Sequence, residues 1–328
     1  MNCFLNHTRF ILVFLFISWS LNAQMAVPTF QAFSYVGTES ALYSFSSHTF
    51  TNCSATGQNG PTLSNCTDAY SPSWTDNTNY FNVPSNAGIQ YWTVPSSGTY
   101  TIEVWGAQGG NSYNGTNSGG RGARMRGNFT LTEEEILKIL VGQKGGQSNG
   151  TFYYGGGGGG GTFVAQSNNT ALIVAGGGGG AAHTNNGNID GTTSTTGMDG
   201  GGIGYDGSGG SNGSGGNQGW GPPSGGAGFT GNGNGGSITG PKSFINGGTG
   251  QPQYQSSCCG GIGAFGGGSR GHGGGGAGGG YSGGGGGGSC CGSSTSGGGG
   301  GGSYNNGSNQ SNSSGVRTGH GQVIITRI

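Results

Sequence analysis

ARMRGNFTL (residues 123–131) alternates along its length: Ala123, Met125, Phe129 and Leu131 fall on one face, Arg124, Arg126, Asn128 and Thr130 on the other. Successive side chains of a strand point to opposite faces, so the pattern predicts an antiparallel strand with one buried and one wet face. TYTIEVWG (99–106) behaves alike, opposing Tyr100, Ile102 and Val104 to Thr101, Glu103 and Trp105. Further strands are expected at 89–94, 135–141, 162–166, 171–175 and 322–328, all rich in β-branched or aromatic residues. VPSSGT (94–99) supplies the Pro and Gly of a connecting turn. No comparable helical periodicity is present, and residues 133–140, the nearest to it, end in LKILVG like a strand. The chain therefore reads as all-β, a β-sandwich or jelly-roll-like unit formed by 89–175 and completed by 322–328.

Glycine supplies 86 of 328 residues and charged residues only 6%, which sets the chain apart from ordinary enzymes. In an average globular domain about 25% of residues are charged. Glycine recurs every third residue at 201, 204, 207, 210, 213, 216 and 219. Collagen shares that period but requires abundant proline, which these triplets lack; the remaining expectation is a polyglycine-II helix of about 3.1 Å rise per residue. Such a helix has no internal hydrogen bonds, so its N–H and C=O groups need partners on neighbouring segments. Without Cβ atoms, glycine backbones approach closely enough to supply them. The uninterrupted runs are expected to lie inside such a bundle: Gly155, Gly158 and Gly161 in YYGGGGGGGTFV, then Gly176 and Gly180, Gly283 and Gly288, and Gly297 and Gly302. The competing reading of the same runs is flexible Gly/Ser linker.

Residues 1–24 have the form of a secretory signal, with His7 and Arg9 ahead of the apolar run 10–17 and Ala23 at the cleavage position. That run is shorter than the roughly 20 apolar residues of a membrane span, and no other stretch comes closer. The full chain carries ten basic and ten acidic side chains, so no polyelectrolyte partner is implied. Nucleic acid is disfavoured on that ground, although GGRGARMRG (119–127) resembles Arg-Gly-rich RNA-binding tracts.

Cys3 leaves with the leader, and an even number of cysteines then enters an oxidising compartment. Cys53 and Cys66 bracket a turn-rich loop and are expected partners. Cys258-Cys259 and Cys290-Cys291 are adjacent pairs, whose Cα atoms are about 3.8 Å apart, short of the usual disulfide range. Bonds between the two pairs fit better, with connectivity left open. Zinc is the alternative, but its ligand pairs are normally spaced C-x₂₋₄-C. GGIGYDGSG (201–209) matches the core of a calcium-binding nonapeptide once, without the stacked copies such sites need. No metal or cofactor is expected.

No nucleophile, base and orienting acid form a set. His48, His183, His272 and His320 are isolated and read as packing or surface residues. GGSRG (267–271) satisfies G-x-S-x-G only formally, because no strand-then-helix pattern surrounds it. Sequons such as Asn114 and Asn128 permit glycans.

FTNCSATGQNGPTLSNCTDAY, GIQYWTVPSSGTYTIEVWGAQGG, EILKILVGQKGG, GGGGGGGTFVAQ, ALIVAGGGGGA and GHGQVIITRI together resemble the glycine-rich extracellular domain of the anaplastic lymphoma kinase and leukocyte tyrosine kinase receptors. The resemblance runs from about residue 50 to 328. It implies a tumour-necrosis-factor-like jelly-roll β-sandwich with an inserted bundle of polyglycine-II helices, a cysteine pair at Cys53 and Cys66, and binding of a protein ligand outside the cell. No transmembrane, kinase or EGF-like segment follows the last strand, so receptor signalling is not carried over.

The expected organisation is a leader (1–24), a disulfide-containing extension with first strands (25–88), and a glycine-rich domain (89–328) whose insertion comprises 155–161 and 176–321. The expected function is non-catalytic: a secreted or surface-attached recognition module for an extracellular protein or glycan. Its contacts would lie on loops around Tyr205, Trp220 and Phe229, with Glu133, Glu134 and Glu135 as an acidic alternative. The other readings are a structural matrix or coat protein and the truncated ectodomain of a receptor tyrosine kinase. Ligand identity and oligomeric state are not legible.

Overall fold

Alternating segments pair as antiparallel strands wherever one face can be buried. In the computed structural model these are β1 (Ser47–Phe50), β2 (Phe81–Asn82), β3 (Gln90–Thr93), β4 (Gly98–Trp105), β5 (Gly122–Leu131), β6 (Ile136–Leu140) and β7 (Thr162–Gln166). They continue with β8 (Ala171–Ala175), β9 (Ser289–Cys290), β10 (Ser294–Thr295), β11 (Tyr304–Asn305), β12 (Ser313–Arg317) and β13 (Gln322–Arg327). The structure describes residues 40–84, 88–149, 155–184, 187, 189–202, 204–237, 239–254, 260–290 and 294–328. The leader, Tyr153, Tyr154, Cys258, Cys259 and Cys291 lie outside them.

Two open antiparallel sheets result, ordered β1-β13-β4-β5-β12 and β11-β8-β7-β6-β3-β2, with β10-β9 as a separate small pair. This corrects the jelly-roll expectation. Each of the two larger sheets ends in free edge strands, β1 and β12 in one and β11 and β2 in the other, so neither ladder closes on itself.

Register explains the burial. Tyr100 faces Phe129 and Val104 faces Met125 across β4 and β5, and Val323 and Ile325 of β13 pair with Val104 and Ile102. Tyr100, Ile102, Val104, Val323 and Ile325 are fully buried and form one apolar cluster with Trp92, Leu137, Ile139, Val164 and Ile173 of the other sheet. Full burial of an aliphatic or aromatic side chain of this size stabilises by about 1.5–3 kcal/mol. The opposite face of β5 stays wet, and Arg124 pairs there with Glu103 while stacking over Trp105 at 5.9 Å.

Three sequence expectations shift at this level. β6 begins at Ile136 rather than Glu135. Glu135 belongs to the turn, in which Glu134 adopts φ +66° and the Glu135 carboxylate accepts the Thr132 N–H at 3.2 Å. A helix, α1 (Leu63–Ala69), forms without an amphipathic pattern because Thr62 and Asn65 close a capping box at its start. A disulfide from Cys66 of that helix to Cys53 ties it to the turn after β1, with Cα atoms 4.9 Å apart. Finally, the region 176–321 is not one uninterrupted excursion. β11 returns to pair with β8 and β12 with β5.

The expected polyglycine-II helix bundle is also corrected. Residues 155–161, 176–180, 283–288 and 297–302 carry no helical assignment. In the triplet segment, Gly202, Gly204, Gly213 and Gly221 have φ values of +84° to +91°, which break any uniform left-handed helix of negative φ. The glycine segments instead extend the hairpins of the sheets. β7 and β8 pair Thr162 with Ala175, and beyond them Gly159 donates to Gly178 (2.8 Å) and Gly156 to Ala181 (2.8 Å). β6 and β7 pair Leu140 with Phe163, and Gly160 then donates to Gln143 (2.9 Å) and Gly157 to Gly146 (2.9 Å). The register is conserved past the end of each strand, but pairing recurs at every third residue. The glycines between these bonds pair with other segments, as Gly158 does by donating to Ser269 at 2.7 Å.

These approaches leave no room for a side chain. A Cβ on Gly158 would lie 1.8 Å from the Ala277 carbonyl oxygen. We expect Gly158→Ala to destabilise the domain by about 3 kcal/mol or more, since overpacking against backbone cannot relax by a rotamer change. Gly204→Ala, at φ +84° with nothing within 4 Å, should cost only about 1–2 kcal/mol from the backbone conformation. Denaturant midpoints of the two variants check this, and equal midpoints would refute it. Replacing both Cys53 and Cys66 by Ser, which opens a loop with a sequence separation of 13, should cost about 3 kcal/mol in the same measurement.

Candidate recognition surface

Where a backbone-dominated scaffold exposes large aromatic rings, burial does not explain them. Among the described residues the exposed aromatic side chains are Tyr205, Trp220 and Tyr254, at 46%, 57% and 39%. All three gather in one region. The rings of Tyr205 and Trp220 meet edge to face at 4.8 Å, and the Trp220 N–H donates to the Tyr205 carbonyl at 2.7 Å. Trp220 and Tyr254 line one groove of about 280 Å³, together with Gln218, Gly221, Pro222, Gly235, Ser237 and Arg270.

Local backbone chemistry fixes these loops. Asp206 accepts the N–H groups of Gly202 (2.8 Å) and Gly288 (2.9 Å), anchoring the turn that carries Tyr205. Ser289 donates to the Trp220 carbonyl at 3.1 Å, and Gly221, at φ +91°, turns the chain immediately after the indole. The rings are thus presented from fixed positions.

Arg270 lies behind them. Its side chain is buried, 2% exposed, with the guanidinium 4.9 Å from the centre of the Tyr254 ring. Nε and Nη2 approach a single acceptor, the Pro222 carbonyl, at 3.4 and 3.5 Å. Burial lowers the guanidinium pKa, an effect opposed by Tyr254, yet an arginine remains charged at neutral pH. His272 packs edge to face on Tyr254 at 5.1 Å. Burial first, and the Arg270 charge second, hold its pKa down at about 4.

The sequence-derived candidates separate on these facts. Tyr205 and Trp220 are brought together on the surface. Phe229 is not a surface residue: it is 5% exposed and stacks on Phe244 at 4.9 Å, in a second core with Phe163 and Phe265 that covers the other face of β7 and β8. Glu133, Glu134 and Glu135 line a separate depression with Gln166 and Asn168, and Glu135 is engaged by the Gln166 amide at 2.8 Å. Cys290 lies in β9, and the structure does not describe its side chain. Sequence reasoning missed Tyr254, although as an aromatic in the polar stretch QPQYQS it carries a signal of the same kind as Trp220. Arg270 carries none, because only the fold brings it to Tyr254.

Among the described residues no group of three or more His, Cys, Asp or Glu side chains could hold a metal ion, and no helix is long and apolar enough to cross a membrane.

No family model matches the chain. It is 38% identical over 96 residues to the leukocyte tyrosine kinase receptor of Mus musculus, a match that covers 29% of this chain and 11% of the receptor. The similarity is a distant, partial relationship, narrower than the resemblance read over residues 50–328, and the two open sheets do not carry the jelly-roll domain that the resemblance implied.

Buried His272 and half-buried His48 give the fold a pH dependence. His48, packed edge-on against Phe50, Tyr70 and Trp74 at 4.6–5.0 Å, is held at about 4 by burial, as is His272. Both pKa values lie below the ordinary 6.5, so the unfolded chain binds the extra protons and stability falls as pH drops from 6.5 towards 4. Replacing His272 by Asn should reduce the slope of stability against pH in that window by about one proton. An unchanged slope in denaturant titrations would show that His272 does not titrate there.

Proposed function

We propose that the domain is a non-catalytic extracellular recognition module that binds a protein or glycan through the surface formed by Tyr205, Trp220 and Tyr254. The observation that carries this reading is the gathering of the exposed described aromatics around one groove, with the loops of Tyr205 and Trp220 anchored by hydrogen bonds to the backbone. Rigid aromatic side chains give large contact area at low entropic cost, and they dominate binding hot spots. The partial similarity to a protein named as a receptor supports a binding role. The secretory form of residues 1–24 and the disulfide between Cys53 and Cys66 support export to an oxidising compartment.

The test is binding of the purified chain to cells and to protein and glycan arrays. Trp220→Ala and Tyr254→Ala should each weaken the interaction by about thirtyfold, the loss typical of a hot-spot ring. Trp220→Ala should leave thermal stability nearly unchanged, because that ring is more than half exposed, whereas Tyr254→Ala also removes the contacts with Arg270 and His272 and should lower it slightly. Retained binding in both variants would remove the surface from consideration.

A further inference from the structure

Among the described residues, the charge of Arg270 has no full set of partners. A buried charge is stable only with a counter-charge or a full set of hydrogen bonds. Among the described residues no carboxylate pairs with this guanidinium, and its two bonded nitrogens share one carbonyl at long distance. A guanidinium carries five N–H donors in a planar fork suited to a carboxylate. Its position at the groove shared with Trp220 and Tyr254 makes a ligand the natural source of that anion.

The lining specifies the rest of the ligand. Trp220 and Pro222 offer flat apolar surface, while the Gln218 amide and the Ser237 hydroxyl bring hydrogen-bonding groups to the same groove. A pyranose ring has the matching character, with an apolar face and a rim of hydroxyls. None of the lining residues belongs to a strand, so the groove offers no ladder to an extended peptide.

Building on the recognition reading above, we infer that this groove takes a carboxylated sugar, its ring against Trp220 and its carboxylate against Arg270. Uronic acids and sialic acids share that chemistry, and the experiment distinguishes them. Isothermal titration of the full chain would use a glucuronate-bearing disaccharide, the methyl ester of that disaccharide, sialyllactose and lactose. The expected result is that at least one acid binds about tenfold or more tightly than its neutral counterpart, as loss of a charge-assisted bidentate contact requires. Preference for glucuronate or for sialyllactose assigns the source. Arg270→Gln should erase the preference for the acid over its neutral counterpart, and Trp220→Ala should weaken both.

The ester comparison uses the unaltered protein, so it holds even if Arg270→Gln fails to fold. Equal affinity for acid and neutral sugar, or no binding to any of the four, overturns the inference. If Trp220→Ala then still abolishes capture on cells or arrays, or an acidic peptide proves to be the bound species, the recognition surface stands and the sugar assignment fails.

Discussion

The structure depends on one constraint: buried backbone N–H and C=O groups must be paired, and long stretches of this chain have almost no side chains to pair them. The solution is direct approach of one glycine backbone to another. At Gly178 a Cβ would sit 2.0 Å from the Gly120 carbonyl oxygen, and at Gly300 it would sit 1.9 Å from that of Asp190. Hydrogen bonds of 2.6–3.1 Å link these segments in several directions. Hydrogen bonding rather than apolar burial therefore sets where the glycine chains run, and it leaves little tolerance for substitution.

The sheets supply what the glycines lack, which is a means of fixing register. A glycine run is uniform along its length and would slide without penalty. β6, β7 and β8 have distinct side chains locked into a core on both faces, and the same register continues from them into the runs on either side. The second core, with Phe229, Phe244 and Phe265 against Phe163, holds the glycine-rich half to the sheet. On this frame the loops that carry Tyr205 and Trp220 are held by hydrogen bonds to the backbone, which fixes where their rings lie.

The long strands were legible because each needs a period of two, and a one-residue slip would bury Arg124 or Glu103. β7 and β8 fall at the expected residues, and β4 and β5 within a residue of them. Short strands such as β2 and β11 are too brief for any period, and α1 is held by a cap and a disulfide that leave no hydrophobic pattern. The glycine period of three was visible but misleading about conformation. Glycine's dihedral freedom lets partners, rather than its own preference, decide the path, and positive φ at Gly204 and Gly213 results. Phe229 failed as a surface candidate for a related reason: in so apolar-poor a chain, an isolated aromatic marks either a scarce core residue or a scarce contact residue, and sequence alone does not separate them. Arg270 and Tyr254, 16 positions apart, meet only once the chain has folded.

The placement of β13 has a consequence for folding. It fills the slot between β1 and β4, so two strands far earlier in the chain are bridged by one that follows all the others described. Until β13 is in place the sheet has a gap between β1 and β4, and its core lacks Val323 and Ile325. Closing the sheet therefore awaits contacts of high sequence separation, which form more slowly than the pairing of β4 with β5.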